Sequence, residues 1–104
     1  MSDNWILAAS LTDLPEDDVI GVDVNGRDIA LYRTDEGVFA SDNRCSHGNA
    51  RLSDGFLEDG EIECPLHQGR FCIKTGNAMC SPLTEGVTIY PVQIEGEKVY
   101  LKFA

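Results

Sequence analysis

The sequence predicts an all-β fold, a small antiparallel β-barrel or sandwich that carries an inserted subdomain of loops and short strands. Short segments of alternating apolar and polar residues are separated by turn residues, and no long segment shows helical spacing. Between about 41 and 83 the chain is instead rich in glycine, cysteine and histidine. Because 104 residues fit one domain, residues 1–104 are predicted to form a single domain in which residues 41–83 interrupt the barrel.

The first half of the chain contains a hairpin signal. The dipeptide Asn25-Gly26, which favours a type I′ turn, lies between two predicted strands at residues 19–24 and 28–33. A single helical turn is expected before this hairpin, near residues 10–14. This part of the chain is therefore predicted to form two antiparallel strands preceded by a helical turn.

The remaining barrel strands are expected on either side of the inserted segment. A second turn at residues 35–37 leads into a strand at residues 38–40. Near the C terminus, strands are expected at residues 87–94 and 99–103. Because Pro91 cannot donate a ladder hydrogen bond, the first of these two strands is expected to be an edge strand or to contain a bulge.

The composition limits the classes of partner. Eight Lys and Arg against eighteen Asp and Glu give a net charge of −10. This charge argues against nucleic acid or anionic lipid and favours a basic protein partner. No apolar run approaches the roughly 18–20 residues of a membrane span, and the first residues lack the features of a signal peptide. We therefore expect a cytoplasmic protein, whose four cysteines suit metal binding better than disulfides.

Both histidines of the chain lie close to a cysteine in the inserted segment. The first unit is Cys45-Ser-His47 and the second is Cys64-Pro-Leu-His67, so together they read C-x-H-x16-C-x-x-H. Two thiolates and two imidazoles can bind zinc or an iron–sulfur cluster. Zinc fingers usually pair Cys with Cys and His with His, whereas each unit here offers one of each. The spacing therefore favours a cluster with two chemically distinct ends and leaves zinc as the alternative.

This motif resembles that of the Rieske [2Fe–2S] proteins. The stretches C-S-H-G-N-A-R-L-S-D-G at 45–55 and E-C-P-L-H-Q-G-R-F at 63–71 resemble the soluble ferredoxins of bacterial aromatic-ring-hydroxylating dioxygenases, in particular the naphthalene-dioxygenase type. The resemblance extends over essentially the whole chain. It implies one Rieske-type [2Fe–2S] cluster per chain, with Cys45 and Cys64 on one iron and His47 and His67 on the other.

The resemblance also implies electron transfer rather than catalysis. Such a ferredoxin takes electrons from an NADH-dependent flavoprotein reductase and delivers them singly to a terminal oxygenase. The motif uses both histidines, so the sequence leaves none for a nucleophile–base pair. We expect a monomer that binds neither nucleic acid nor membrane. Electrons are expected to leave near His47 or His67, at a surface bordered by Leu66, Gln68 and Pro82.

The chain departs from the high-potential Rieske proteins in both loops. Those relatives carry an extra cysteine in each loop, and the two form a disulfide, whereas this chain has Ala50 and Leu66 at these positions. They also place a Ser and a Tyr after the second histidine, where their hydroxyl groups donate hydrogen bonds to sulfur. Gly69 and Phe71 occupy those positions here. The resemblance therefore implies a reduction potential at the low end of the Rieske range.

Two cysteines and two alternative functions remain after this interpretation. Cys72 and Cys80 lie outside the motif and are expected to be spectators, because free cysteine often behaves as a small hydrophobic residue. One alternative function is that of the small subunit of an assimilatory nitrite reductase, which can share this fold. The other is a zinc-stabilised interaction module with no redox role. A zinc protein would be colourless, whereas a Rieske protein is red-brown.

Overall fold

A computed structural model of the chain describes residues 5–45, 50–65, 69–79 and 86–103. These residues form ten β-strands and two single 3₁₀ turns. The strands are β1 (Trp5–Ser10), β2 (Asp18–Val24), β3 (Arg27–Thr34), β4 (Gly37–Asp42), β5 (Phe56–Glu58), β6 (Glu61–Glu63), β7 (Arg70–Cys72), β8 (Ile89–Tyr90), β9 (Val92–Glu95) and β10 (Lys98–Lys102). The 3₁₀ turns cover Leu11–Asp13 and Leu52–Asp54.

The strands pair in three antiparallel sheets. Their orders are β1-β10-β9, β2-β3-β4-β8 and β5-β6-β7. The first two sheets share one buried cluster of apolar residues and form the barrel-like sandwich. The third sheet is inserted in the chain between β4 and β8. The predicted all-β antiparallel fold is confirmed, while the limits of the insertion at residues 41 and 83 remain a prediction.

Strand β3 separates the two hydrophobic cores of the molecule. Its side chains alternate between faces, yet four successive residues from Ile29 to Tyr32 are completely buried. Ile29 and Leu31 belong to the core between the first two sheets, whereas Ala30 and Tyr32 belong to the core that contains Cys45 and Cys64. The Tyr32 hydroxyl is 2.8 Å from the Ser41 hydroxyl, so its polar atom is satisfied. One strand therefore connects the barrel to the cysteine-containing core.

The hairpin predicted at Asn25-Gly26 is confirmed. Val24 pairs with Arg27, so the turn has two central residues. Their φ values are 53° for Asn25 and 85° for Gly26, and two positive φ angles define the type I′ turn. The Asp23 carboxylate accepts a hydrogen bond from the Gly26 N–H at 2.8 Å and supports the turn. Local turn chemistry thus sets the register of β2 against β3.

The single strand predicted at residues 87–94 is wrong, because the chain forms two strands that leave Pro91 between them. Ile89 and Tyr90 pair with β4, whereas Val92 pairs with Leu101 of β10, so β8 and β9 belong to different sheets. Proline has no N–H for a ladder, which makes it suited to the corner where the chain changes sheets. The prediction identified Pro91 as the irregular position but not the change of sheet.

The N-terminal segment shows one prediction confirmed and one strand not anticipated. The expected helical turn is the 3₁₀ turn at Leu11–Asp13. Strand β1 was not predicted, and it pairs with β10 with a shift in register between Leu7 and Ala9. Among the described residues, no helix is long and apolar enough to cross a membrane.

The inserted sheet has one buried face and one outer face. Leu57, Ile62 and Phe71 are neighbours across β5, β6 and β7, and Ile62 and Phe71 are at most 1% exposed. The residues on either side of these three, within their own strands, face outward. Each strand is only three residues long, so the buried row supplies the apolar contact that holds this sheet on the barrel.

Candidate metal centre

The two cysteines of the motif lie in the same buried core. Cys45 follows β4 and is 2% exposed, and Cys64 directly follows β6 and is completely buried. Neither forms a disulfide, and they share their core with Leu52 and Phe71. The topology thus brings together two residues that are nineteen positions apart in the sequence.

Each cysteine begins a loop that is closed in the same way. The Cys45 N–H donates a hydrogen bond to the Ala50 carbonyl at 2.9 Å, and the Cys64 N–H donates one to the Gly69 carbonyl at 2.7 Å. The donor and acceptor are five positions apart in both loops. The closing bonds fix the backbone of both cysteines in matched settings, which suits two loops that hold one group between them.

The base of each loop is also matched. Arg44 pairs with Arg51 as an isolated antiparallel bridge, and Glu63 pairs with Arg70 between β6 and β7. An arginine therefore stands six residues after each cysteine and begins the chain's return from the loop. This repetition was not among the predictions, although the spacing can be read from the sequence.

The histidines of the motif are not placed by the structure. His47 and His67 lie outside the described residues, as do Leu66, Gln68, Pro82 and Cys80. Within the described ranges, no group of three or more His, Cys, Asp or Glu side chains converges as a metal site would. The pairing of the two cysteines with the two histidines as a ligand set therefore stays a prediction.

A polar network stabilises the base of the first loop, the one that begins at Cys45. Asn43 is completely buried, and its amide oxygen accepts the Ser53 N–H at 2.7 Å while its NH₂ group donates to Asp28 at 3.0 Å. Arg51 donates from Nε and Nη2 to the two Asp28 oxygens at 2.9 and 3.0 Å. This bidentate contact lowers the pKa of Asp28 below its usual value. The first loop is thereby tied to strand β3 of the barrel.

The second loop has an ionic cluster instead. Arg70 donates to Glu58 at 3.0 Å and to Glu61 and Glu63 at 3.3 Å each. These carboxylates, with the hydrogen bond to Glu58 as the largest contribution, raise the pKa of Arg70 above its usual range. The guanidinium is therefore a permanent cation at the base of the loop that begins at Cys64. Sequence analysis missed Asn43, Arg51 and Arg70 because their partners come from distant positions.

Gly55 allows a close approach at the end of β6. A Cβ atom at this position would overlap the carbonyl oxygen of Glu63, the residue before Cys64. We expect Gly55→Ala to displace this strand end, to destabilise the fold by roughly 1–3 kcal/mol, and to lower the iron content of the purified protein. Gly55 has an ordinary extended backbone, with φ −93°, so only the lack of space excludes alanine there. Gly26→Ala is the control, because Gly26 lies in the β2–β3 turn with open space around it; its φ of 85° strains alanine, so this variant should lose stability but keep its iron. Thermal unfolding and iron analysis measure both effects, and unchanged iron in Gly55→Ala would contradict this role.

Cys72 lies on the outer face of the inserted sheet, away from the buried pair. A hydrogen bond from the Thr75 side chain, supported by nearby backbone N–H groups and Lys74, lowers the pKa of the Cys72 thiol. More thiolate at neutral pH means faster alkylation. We expect Thr75→Val to move the alkylation profile of Cys72 to higher pH, as followed by peptide mass mapping. Loss of the visible spectrum after alkylation of Cys72 would contradict its expected role as a spectator.

Fold and site together define a class of protein. An all-β chain that buries two thiols at the start of two matched loops has the arrangement expected of a small protein that holds a metal centre. Thiolates are the ligands that iron–sulfur clusters require, and the buried donor pair fits such a group.

Comparison with known proteins identifies the family. Residues 4–91 match the model of the Rieske [2Fe–2S] domain. The ferredoxin component of the naphthalene 1,2-dioxygenase/salicylate 5-hydroxylase systems of Ralstonia sp is 60% identical, over 98% of both chains. The Sphingomonas yanoikuyae B1 ferredoxin has a TM-score of 0.90 at 34% identity, covering 97% of this chain and 100% of that one. This chain belongs to the Rieske [2Fe–2S] family, and its cofactor is a Rieske-type [2Fe–2S] cluster.

Two further solved structures bear on the choice of function. A complex of reduced oxygenase and oxidized ferredoxin in carbazole 1,9a-dioxygenase contains a chain with a TM-score of 0.88 at 30% identity, covering 97% of this chain and 94% of that one. A structure described as an NADH-dependent nitrite reductase small subunit from Mycobacterium tuberculosis has a TM-score of 0.84 at 23% identity, covering 96% and 95%. The second likeness shows a shared fold alone.

Proposed function

We propose that this chain is the ferredoxin component of a bacterial aromatic-ring-hydroxylating dioxygenase system of the naphthalene type. It takes electrons from an NADH-dependent flavoprotein reductase and delivers them one at a time to the terminal oxygenase. The observation that carries the proposal is full-length similarity at 60% identity to a ferredoxin of such a system. The two buried thiols at matched loops support it.

The proposed ligands are Cys45, His47, Cys64 and His67. When bound, the cluster supplies a one-electron redox couple. Cys45 and Cys64 hold it inside the hydrophobic core, where water has little access to the thiolates. The histidines stand two and three positions further along the same loops, as the motif requires. All four donors of the motif are ligands in this set, so no metal position is left open for a substrate. This suits a carrier rather than a catalyst.

The partners are proposed from charge and from the solved complex. The net charge of −10 favours reductase and oxygenase surfaces with basic rims, and such complementarity speeds encounter. The complex of a related ferredoxin with an oxygenase supports the oxygenase as one partner. We further propose a monomer in the cytoplasm, a compartment in which cysteine thiols such as that of Cys72 stay reduced.

The alternatives are less well supported. Family membership makes the cofactor an iron–sulfur cluster, so the zinc-stabilised module is no longer favoured. Two similar structures described as nitrite reductase small subunits are 22% and 23% identical to this chain, and such a likeness shows a shared fold alone. The ferredoxin component from Ralstonia sp matches over 98% of this chain at 60% identity, which is more than twice as high.

A reconstituted system tests the function. Purified chain is mixed with NADH, a flavoprotein ferredoxin reductase and a naphthalene-type oxygenase, and ring hydroxylation is measured with and without the chain. We expect oxygenation to depend on the chain and to be absent with Cys64→Ser as the matched control. Turnover that is equal without the chain, or coupling only to a nitrite reductase, would contradict the proposal.

Electron delivery should also depend on salt. The Debye length falls from about 30 Å at 0.01 M salt to about 10 Å at 0.1 M. Because an acidic carrier is steered by opposite charge, we expect the second-order rate constant of delivery to fall about tenfold over this range. Stopped-flow measurement of oxygenase reduction checks this, with chemical reduction by a small uncharged reductant as the control. Rates that do not respond to salt would contradict electrostatic docking.

A further inference from the structure

The outer face of the inserted sheet carries an ionic cluster that spans all of its strands. Glu58 pairs with Glu61, and Glu63 pairs with Arg70, so all four side chains project from the same face. Ile62 and Phe71 occupy the opposite, buried face. Glu58 belongs to β5, Glu61 and Glu63 to β6, and Arg70 to β7. One guanidinium therefore connects the three strands.

The position of this cluster places it at the metal centre. Glu63 is the residue before Cys64, and Arg70 follows Gly69, whose carbonyl accepts the Cys64 N–H. The pair Glu63–Arg70 is thus the last cross-strand pair before the loop opens. A change in the separation of these two side chains acts on the backbone that carries the Cys64 thiol.

The two loops differ in the charge at their base. Arg51 meets one carboxylate, Asp28, and that pair sums to zero. Arg70 meets three carboxylates, so its cluster sums to −2. The Arg70 side chain is 31% exposed and the Glu63 side chain 24%, so water screens their charges only in part. The loop that begins at Cys64 therefore has a surplus of negative charge that Arg70 limits.

We infer that Arg70 is a positioning residue of the metal centre, which fixes the strand ends that carry Cys64 and raises the reduction potential by offsetting three carboxylates. The inference rests on the proposed ligand set, in which Cys64 and His67 belong to this loop. Without the guanidinium, Glu58, Glu61 and Glu63 repel one another across β5 and β6. Reduction adds a further negative charge nearby, so the same loss disfavours the reduced state.

Three variants separate charge from geometry. Arg70→Gln removes both the charge and the several N–H donors of the guanidinium. Arg70→Lys keeps the charge but cannot make the same branched contacts. Lys74→Gln is the matched control, because Lys74 lies two positions after the end of the same strand and forms an exposed ion pair with Glu36. Each holoprotein is studied by spectroelectrochemistry, by the rate of cluster release on heating at constant far-UV circular dichroism, and by EPR of the reduced state.

Arg70→Gln is expected to shift the reduction equilibrium about threefold toward the oxidised state, or about 28 mV at 59 mV per tenfold change. It should also release the cluster several-fold faster at a temperature where the fold is intact. Arg70→Lys should have the reduction potential of the wild type but recover only part of its resistance to cluster release. Lys74→Gln should resemble the wild type in both. Potential and release in Arg70→Gln that equal those of Lys74→Gln would overturn the inference.

A fourth variant, Glu58→Gln, decides the question if Arg70→Gln does not fold. Glu58→Gln removes the most exposed of the three carboxylates and leaves Arg70 in place. It should shift the equilibrium about twofold toward the reduced state, or about 18 mV on the same scale, and an unchanged potential would overturn the inference. An error in the proposed ligand set would give a different result from an error in the role of Arg70. If Cys64 were not a ligand, Cys64→Ser would keep a wild-type cluster, whatever the Arg70 variants show.

Discussion

Replacing Cys64 with serine is expected to abolish the [2Fe–2S] cluster, and Cys45→Ser is expected to do the same. Both thiols are almost completely buried in one core, so no water or neighbouring side chain on the surface can take over as a ligand. A serine oxygen is a harder and less acidic donor than a thiolate, and iron–sulfur clusters depend on thiolate ligation. The variants should be colourless, with little iron and little acid-labile sulfide.

Loss of the cluster should also destabilise the protein. A chain of 104 residues has a small core, and small domains often depend on a bound metal centre for part of their stability. We expect both variants to unfold at clearly lower temperature than the holoprotein. Cys72→Ser is the control, because Cys72 faces outward on the inserted sheet and is only half-buried. Normal colour in Cys64→Ser, or loss of colour in Cys72→Ser, would contradict the proposed ligand set.

The second large effect concerns the reduction potential, which is expected to lie near the low end of the Rieske range, around −150 mV. Reduction adds negative charge, so each hydrogen bond donated to a cluster sulfur favours the reduced state. Gly69 has no side chain and Phe71 has no hydroxyl group. The high-potential relatives have Ser and Tyr at these positions, and this chain lacks both donors.

The double variant Gly69→Ser with Phe71→Tyr should therefore raise the potential. A hydrogen bond to a charged group is worth roughly 1.5–3 kcal/mol. Because about 1.4 kcal/mol corresponds to about 59 mV for one electron, two such bonds give about 130–260 mV. Phe71 is completely buried in the core that contains Cys45 and Cys64, so a hydroxyl added there must find its acceptor among buried groups.

Protein-film voltammetry measures this shift. Phe56→Tyr is a matched control, because Phe56 lies on the outer face of the same sheet, is 67% exposed, and would present its hydroxyl to water. The reduction potential of Phe56→Tyr should equal that of the wild type. The wild-type potential should also be nearly independent of pH around neutrality. A wild-type potential above zero would contradict the expectation. So would an unchanged potential in the double variant once its hydroxyl groups are shown to reach sulfur.

Local turn chemistry explains how much of the barrel could be predicted. Asn25-Gly26 fixed a hairpin that the structure confirms, and Asp59-Gly60 carries the same signal, with φ values of 53° and 76°. The second hairpin was not predicted, because its strands have three residues each and are too short to show alternation. Pro91 was recognised as irregular, but its corner depends on which sheet each flanking strand joins. Such pairing is set by distant residues.

The residues of the metal centre also divide into those with a local sequence signal and those whose partners are distant in the sequence. The two cysteines could be predicted because the motif spacing is local to each loop, and the structure brings both into one core. The supporting residues could not, because Arg51 meets Asp28 across 23 positions and Arg70 collects carboxylates from two other strands. Strand β3 was predicted from the adjacent Asn25-Gly26 turn rather than from its own pattern, since burial on both faces removes the alternation that marks a half-buried strand.

We propose that Cys45, Cys64, His47 and His67 together hold one cluster. Pulsed EPR of the reduced protein, grown with ¹⁵N-labelled histidine, distinguishes histidine ligands from any other donors. We expect a rhombic signal with an average g below the free-electron value and strong couplings to two histidine nitrogens, with one coupling lost in each single histidine variant. A reduced [2Fe–2S] signal without histidine nitrogen coupling, or stoichiometric zinc without labile sulfide, would contradict it.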